Sequence, residues 1–353
     1  MRQSLEPLVV NGAHGEGGGA LFRTALSMSA LTQQPVKVHT IRGAMRKTGL
    51  NSEDMTFMQG LSLACAAEVI GDELDSREVI FRPTRPIRPV NHRLDVQAHE
   101  KGNVPGNAIT IAESLLPMLA RAGGYSQLTL VGETHNNNTL TYDSFERVTL
   151  AAHRRQGLYA FPSLLTAGYG YAARGEVAVE IEPSAFEPIV LNSRGDLLRC
   201  RAVISGSDVP QPMLDDAADQ IRGRFAEIQL ECEAEAIMVR GRSPGLSITI
   251  WSEFENGFGS ASATMQRGMN LQQTLHRAWA GFLEWMESNA TVDAYLADQL
   301  LLPAALCEGR SAFRTPKVTR RLQTMAFVIK QFLPIKITII GQEGEPGSVT
   351  VER

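Results

Sequence analysis

Asn11-Gly-Ala-His14-Gly-Glu16-Gly-Gly-Gly19-Ala-Leu-Phe-Arg23-Thr-Ala-Leu-Ser-Met-Ser-Ala30 is the stretch that decides how this chain folds. The run Leu8, Val9, Val10 leads into it as a strand, and five glycines follow within eight residues. The apolar positions then fall at helical spacing, with Leu21, Ala25 and Met28 on one line and Phe22, Leu26 and Ala30 beside it. Strand, glycine turn and helix N-terminus together form an anion cradle. Glycines let backbone N–H groups approach a phosphate, and the first helical turn adds a favourable dipole. Arg23 stands close to that turn, and Glu16 is a candidate ligand for a divalent metal bridging phosphates. No Gly-Lys-Ser/Thr follows and the spacing is not G-x-G-x-x-G, so neither the P-loop nor the dinucleotide fingerprint applies. A tight turn with no ligand remains open at this level.

The rest of the chain bounds the class. Its 353 residues suffice for a sizeable core in two lobes, and 43% hydrophobic with 20% charged residues is ordinary for a globular protein. A net charge of −4 argues against a surface that coats nucleic acid, though not against gripping one RNA end in a small arginine-lined pocket. Cys65, Cys200, Cys232 and Cys307 lie too far apart for a metal motif or a disulfide framework, which points to reduced thiols. Arg2 and Glu6 break any signal-peptide pattern and no apolar run approaches about 18 residues, so the expectation is a cytoplasmic protein that does not enter a membrane.

Along the chain, Asn51 or Ser52 caps a helix to about residue 70, and Leu128 to Val131 is a strand. Residues 143–156 are helical in pattern. From about residue 184 to 266 the alternation becomes self-contained: strand 199–204, helix 212–225, strands 227–236 and 246–252. This predicts a small α/β domain at 184–266 inserted between two parts of a larger lobe, 1–183 and 267–353. The long helix near 269–288 is assigned to the larger lobe. One internal echo, Leu116-Pro117…Gly132 against Leu333-Pro334…Gly341, hints at repeated units.

The order GAHGEGGG-x-x-x-R-T-A-L-S resembles the opening signature of the RNA 3′-terminal phosphate cyclase family. Ile41-Arg42…Lys47-Thr48-Gly49-Leu50 and Tyr295-Leu-Ala-Asp298-Gln299-Leu300-Leu-Leu-Pro303 agree with it, so the likeness covers nearly the whole chain. It implies an α/β (α+β) fold of repeated units, each a small sheet backed by two helices as in enolpyruvyl transferases, with an inserted smaller α/β domain. It also implies a reaction in which a histidine attacks the α-phosphorus of ATP. AMP then passes to an RNA 3′-phosphate, and the neighbouring 2′-OH displaces it to leave a 2′,3′-cyclic phosphate. By resemblance, Gly15, Glu16, Gly17, Gly18 and Gly19 form the nucleotide loop, and Arg23, Arg42 and Arg46 face phosphates. Tyr295 and Asp298 lie near the nucleotide, and Glu16 is linked to a metal. ATP, Mg²⁺ or Mn²⁺, and RNA 3′ ends are the implied cofactors and partner.

The nucleophile departs from the pattern. Counted back without a gap from Phe332-Leu333-Pro334, the family's histidine falls on Arg321 and its Thr-Asn pair on Thr324-Met325. A guanidinium stays protonated and cannot act as a nucleophile. The family's Gln-His pair is Glu53-Asp54 here, and a further glutamine is Glu113. These extra carboxylates repel a triphosphate unless something offsets them. Histidines elsewhere in the matched motifs, His14 and His135, are the substitute candidates, each with the ordinary reading of a locally hydrogen-bonded loop histidine. His92 and His99 with Asp95 and Glu100 lack tetrahedral metal spacing. Two readings follow: an enzyme that processes RNA 3′-phosphate ends by a modified route, or a catalytically silent cyclase-like factor that binds them.

Overall fold

A computed structural model of the chain describes residues 6–96, 98, 106–137, 139–170, 173–265 and 268–353. Of the residues singled out in the sequence, His99 and Glu100 lie outside these residues. The first sheet holds β1 (Leu8–Asn11), β2 (Val36–His39), β3 (Glu68–Ile70) and β4 (Glu78–Arg82) in the order β1-β2-β4-β3. Helices α1 (Gly19–Thr32) and α2 (Ser52–Cys65) back it. The second sheet holds β5 (Asn91–Asp95), β6 (Ser126–Gly132), β7 (Ala160–Thr166) and β8 (Gly175–Ile181) in the order β5-β6-β8-β7, the same path over again. In both, the first pair is parallel and the other two are antiparallel. Its helices are α3 (Ala108–Ala120) and the segment α4 (Tyr142–Ser144), a π-turn (Phe145–Thr149) and α5 (Leu150–Arg155).

The small α/β unit comes next in the chain: β9 (Leu197–Ser207), α6 (Gln211–Glu227), β10 (Cys232–Met238), β11 (Gly245–Phe254), β12 (Gly257–Thr264) and α7 (Leu271–Met286). Its sheet runs β10-β9-β11-β12. After it, α8 (Ala294–Leu306), β13 (Arg310–Thr315), α9 (Arg320–Phe332), β14 (Lys336–Ile340) and β15 (Gly347–Glu352) form a third sheet, β13-β15-β14. That sheet follows the same path with its first strand reduced to one parallel bridge, Val190 to Ala312. The Ile189 carbonyl accepts from the Ala312 N–H, and the Leu191 N–H donates to the Ala312 carbonyl. The α/β unit therefore interrupts the third repeat between its first strand and its first helix.

Two sequence expectations change. Helix α7 does not join the larger lobe: Leu275, Ala278, Phe282 and Trp285 turn one face onto the inserted sheet and share its core. The spacing is helical, as expected, but periodicity does not say which sheet a face meets. The two segments of the internal echo are also not equivalent in the fold. Leu116-Pro117 lies in α3, whereas Leu333-Pro334 follows α9 and precedes the third chain segment of its sheet. The equivalent of Pro117 is Pro303, since each is the tenth residue of a 13-residue first helix, preceded by two leucines.

One continuous core runs through all three repeats, and α1 is its central rod, with Leu21, Phe22, Leu26 and Met28 fully buried. Thr24, Ser27 and Ser29 are buried as well, so α1 is enclosed nearly all round rather than along one stripe. At about 1.5–3 kcal/mol for each large apolar side chain removed from water, this helix is held by tertiary packing rather than propensity. Among the described residues no helix is long and apolar enough to cross a membrane.

Candidate functional site

The first helices of the three repeats, α1, α3 and α8, line one side of a cavity of about 520 Å³, and β12 and α7 of the inserted unit close the other. That volume suits a nucleotide-sized group. The wall shared with the inserted unit is rich in hydroxyls. Ser144 Oγ lies 2.7 Å from Ser262 Oγ and 3.2 Å from Ser260 Oγ, and Thr141 Oγ1 lies 3.1 Å from Ser262 Oγ. Asp293 fastens this wall to α8. Its Oδ1 accepts the Tyr295 and Leu296 N–H groups as the helix cap, and its Oδ2 accepts the Ser260 N–H at 2.9 Å. Burial pushes Asp293 up to about 6, while those three N–H groups favour its charged form.

At the head of α1 the glycine turn takes a specific shape. Gly15 and Gly17 have φ of +59° and +61°, which glycine adopts without strain. The Glu16 N–H donates to Thr324 Oγ1 at 2.9 Å, tying the turn to α9. Gly18 is the N-cap of α1 and no side chain caps the helix. Arg23 and Arg42 converge there: a Cβ on Gly19 would lie 2.7 Å from Arg23 Nη1 and from Arg42 Nη2, so a side chain there would displace both guanidinium groups. The same point is 3.1 Å from Asp54 Oδ1. Asp54, fully buried, takes Arg42 Nε at 2.6 Å and Nη2 at 3.3 Å, and Arg23 Nη1 approaches it to 3.7 Å. Glu53 lies 3.9 Å from Arg23 and accepts the Asn107 N–H at 2.8 Å. Glu53 and Asp54 thus face Arg23 and Arg42, the arginines that the resemblance assigns to phosphates. Asp54 also closes the capping box of α2 with Asn51, which is the local reason it sits there.

Arg321, in the first turn of α9, stands on the cavity wall between Glu16 Oε1 at 3.6 Å and Asp298 Oδ2 at 3.9 Å. Burial works to lower its pKa, but Asp298, Glu16 and Glu113 outweigh it and raise it. Its Nε, Glu16 Oε2 and Arg23 Nη1 are buried without a hydrogen-bond partner. Asp298 is pushed up to about 7 by burial, against the pull of Arg321 and the Thr319 hydroxyl, which donates to Oδ1 at 2.8 Å. Burial also pushes Glu113 up to about 7, with Arg23 and Arg321 holding it back. Tyr295 is 59% exposed at the cavity mouth.

The other sequence candidates fall away from this cluster. His135 is fully buried. Its Nε2 pairs with Asp143 Oδ2 at 3.1 Å, its Nδ1 lies 2.9 Å from Thr134 Oγ1, and its ring stacks on Tyr169. Asp143 also accepts from Ser205 Oγ at 3.0 Å, so His135 is a tie between the second repeat and β9 and cannot reach a substrate. His14 is exposed and stacks on Phe327 at 3.8 Å between centroids; it is not part of the cavity wall. Arg46 is exposed outside the cavity. A metal held by the protein alone does not fit either: among the described residues no three His, Cys, Asp or Glu side chains group to hold one, and a guanidinium already lies between Glu16 and Asp298. Sequence reasoning missed Asp293, although an Asp before Ala-Tyr-Leu is a cap signal, and the serines of β12, for which nothing in the sequence pointed to the cavity.

The chain resembles known proteins along nearly its whole length. The family model described as RNA 3′-terminal phosphate cyclase matches residues 14–339. The RNA 3′-terminal phosphate cyclase of Methylococcus capsulatus is 30% identical over 327 residues, covering 92% of this chain and 91% of that protein. That of Pseudomonas fluorescens is 31% identical over 327 residues, covering 91% of each. Among solved structures, the enolpyruvyl transferase NikO from Streptomyces tendae is 12% identical with a TM-score of 0.38, covering 99% of this chain and 48% of that one. With three repeats of one sheet path, an inserted α/β unit and a match along nearly its whole length, the chain belongs to the RNA 3′-terminal phosphate cyclase family.

Proposed function

We propose that this protein captures the phosphorylated 3′ end of an RNA in the cavity and does not form an enzyme–AMP intermediate. One observation carries the reading: Arg321, which the ungapped count and the resemblance put at the nucleophile's place, is lodged between Glu16 and Asp298 beside the glycine turn. Its guanidinium neutralises phosphate charge but has no lone pair with which to attack a phosphorus. Among the described residues no histidine lines the cavity.

The residues support binding in a definite way. Arg321 Nε and Arg23 Nη1 are buried donors in ion pairs but without hydrogen-bond partners, suited to charge-assisted hydrogen bonds to a terminal phosphate. The serine and threonine hydroxyls of the facing wall suit the hydroxyls of a terminal ribose. Tyr295 at the mouth offers an aromatic face on which an unstacked base can lie. ATP and a divalent ion, expected from the resemblance, are not needed for this role.

Two measurements test it. Incubation with α-labelled ATP and Mg²⁺ or Mn²⁺, followed by denaturation, is expected to leave no label on the protein; label retained on any histidine overturns the reading. An oligoribonucleotide with a 3′-phosphate is expected to bind more tightly than the same oligonucleotide with a 3′-hydroxyl, with little dependence on length.

A further inference from the structure

We infer that Asp54 is a built-in anion at the head of α1, making the site selective for a single terminal phosphate over a polyphosphate chain. This rests on the cavity being an RNA 3′-end site and adds which phosphates it admits. The head of α1 has what a run of phosphates needs: an N-cap with no capping side chain and two converging arginines. That place is already filled. The Asp54 carboxylate, with no solvent exposure, grips Arg42 through two nitrogens and lies 3.7 Å from Arg23. Glu16 folds over the same end, its carboxyl carbon 3.4 Å from where a Cβ on Gly18 would be.

Hydrogen-bonding capacity remains on two buried guanidinium nitrogens: Arg23 Nη1, 3.7 Å from Asp54 and 3.9 Å from Glu53, and Arg321 Nε, 3.6 Å from Glu16, have no hydrogen-bond partner. Two guanidinium nitrogens can hold one phosphate group. A second or third phosphate extended toward Gly19 would have to displace Asp54 from Arg42 or lie against its charge, and either is unfavourable in a buried site. Glu53, 3.9 Å from Arg23, adds to the same repulsion.

The experiment uses the full chain and a fluorescent 3′-phosphorylated oligoribonucleotide, displaced by inorganic tripolyphosphate or by ATP, each with and without Mg²⁺. Wild-type protein is expected to resist displacement by both polyphosphates. In Asp54→Asn, which keeps the side-chain shape and hydrogen-bond acceptor, the ratio of polyphosphate to 3′-phosphate affinity is expected to rise about tenfold or more. Should that variant not fold, Glu53→Gln tests the same repulsion with an expected gain of about threefold. Wild-type protein displaced by tripolyphosphate as readily as the variants overturns the assignment of Asp54. Loss of discrimination between 3′-phosphate and 3′-hydroxyl oligonucleotides in the wild type is a different failure, and it removes the end-binding function itself.

Discussion

Replacing Arg321 by alanine tests the proposed function most directly. The guanidinium lies 3.6 Å from Glu16 and 3.9 Å from Asp298, beyond good hydrogen-bond range, so it can turn to a phosphate without first breaking a hydrogen bond. A hydrogen bond to a charged group contributes about 1.5–3 kcal/mol net, and the gross attraction of about 4 kcal/mol at 4 Å is reduced to that range by desolvation. Loss of Arg321 also removes the cation that holds the pKa of Asp298 down against burial. Asp298 then stays protonated at neutral pH, so its charge adds little further repulsion. The expected result is a loss of about 10- to 100-fold in affinity for a 3′-phosphorylated oligoribonucleotide, measured by fluorescence anisotropy, and almost none for the 3′-hydroxyl form. Arg321→Lys keeps the charge without the planar fork and is expected to fall between. Equal losses for both oligonucleotides, or no loss for either, would refute a phosphate contact at this position.

The carboxyl groups in the cavity set a pH dependence of stability. Asp298 and Glu113 are each raised to about 7 from ordinary values of 3.8 and 4.5, so between about pH 4 and 7 the folded state binds more protons than the unfolded one. Their stabilising contribution is full below about pH 4 and is lost as pH rises through 7, at up to about 1.4 kcal/mol per group per pH unit; the urea midpoint of wild type relative to Asp298→Asn is expected to fall from pH 5 to pH 8. Gly15→Ala places a Cβ 2.2 Å from Thr324 Oγ1 at a φ of +59°, and a cost of about 1–3 kcal/mol is expected in urea unfolding, only partly recovered by adding Thr324→Ala. His135→Ala breaks the buried ties to Asp143 and Thr134 and is expected to cost about 1–3 kcal/mol of stability, with no change in the preference for a 3′-phosphate end at a temperature where the variant remains folded.

The strand–turn–helix at residues 8–32 and the α/β alternation of the small unit are written in local periodicity and glycine spacing, whereas the repeated architecture was legible only through the family resemblance. By resemblance the sequence put Arg321 where a nucleophile is expected, and α9 runs unbroken over that count from Arg320 to Phe332. Tertiary structure alone decided what the candidate residues touch. Arg23 and Arg42 read as free phosphate ligands in the sequence, but folding brings α2 against the head of α1 and sets Asp54 between them. His135 and His14 looked alike as motif histidines, yet one is sealed against Tyr169 and Asp143 and the other is exposed beside Phe327. Helix α7 carried a clear apolar face, but only the packed chain shows that face on the inserted sheet. A residue's spacing fixes which way it points from its own helix or strand; what waits there is supplied by segments far off in the chain. The 308 positions between Glu16 and Thr324, joined by one hydrogen bond, measure how far that can be.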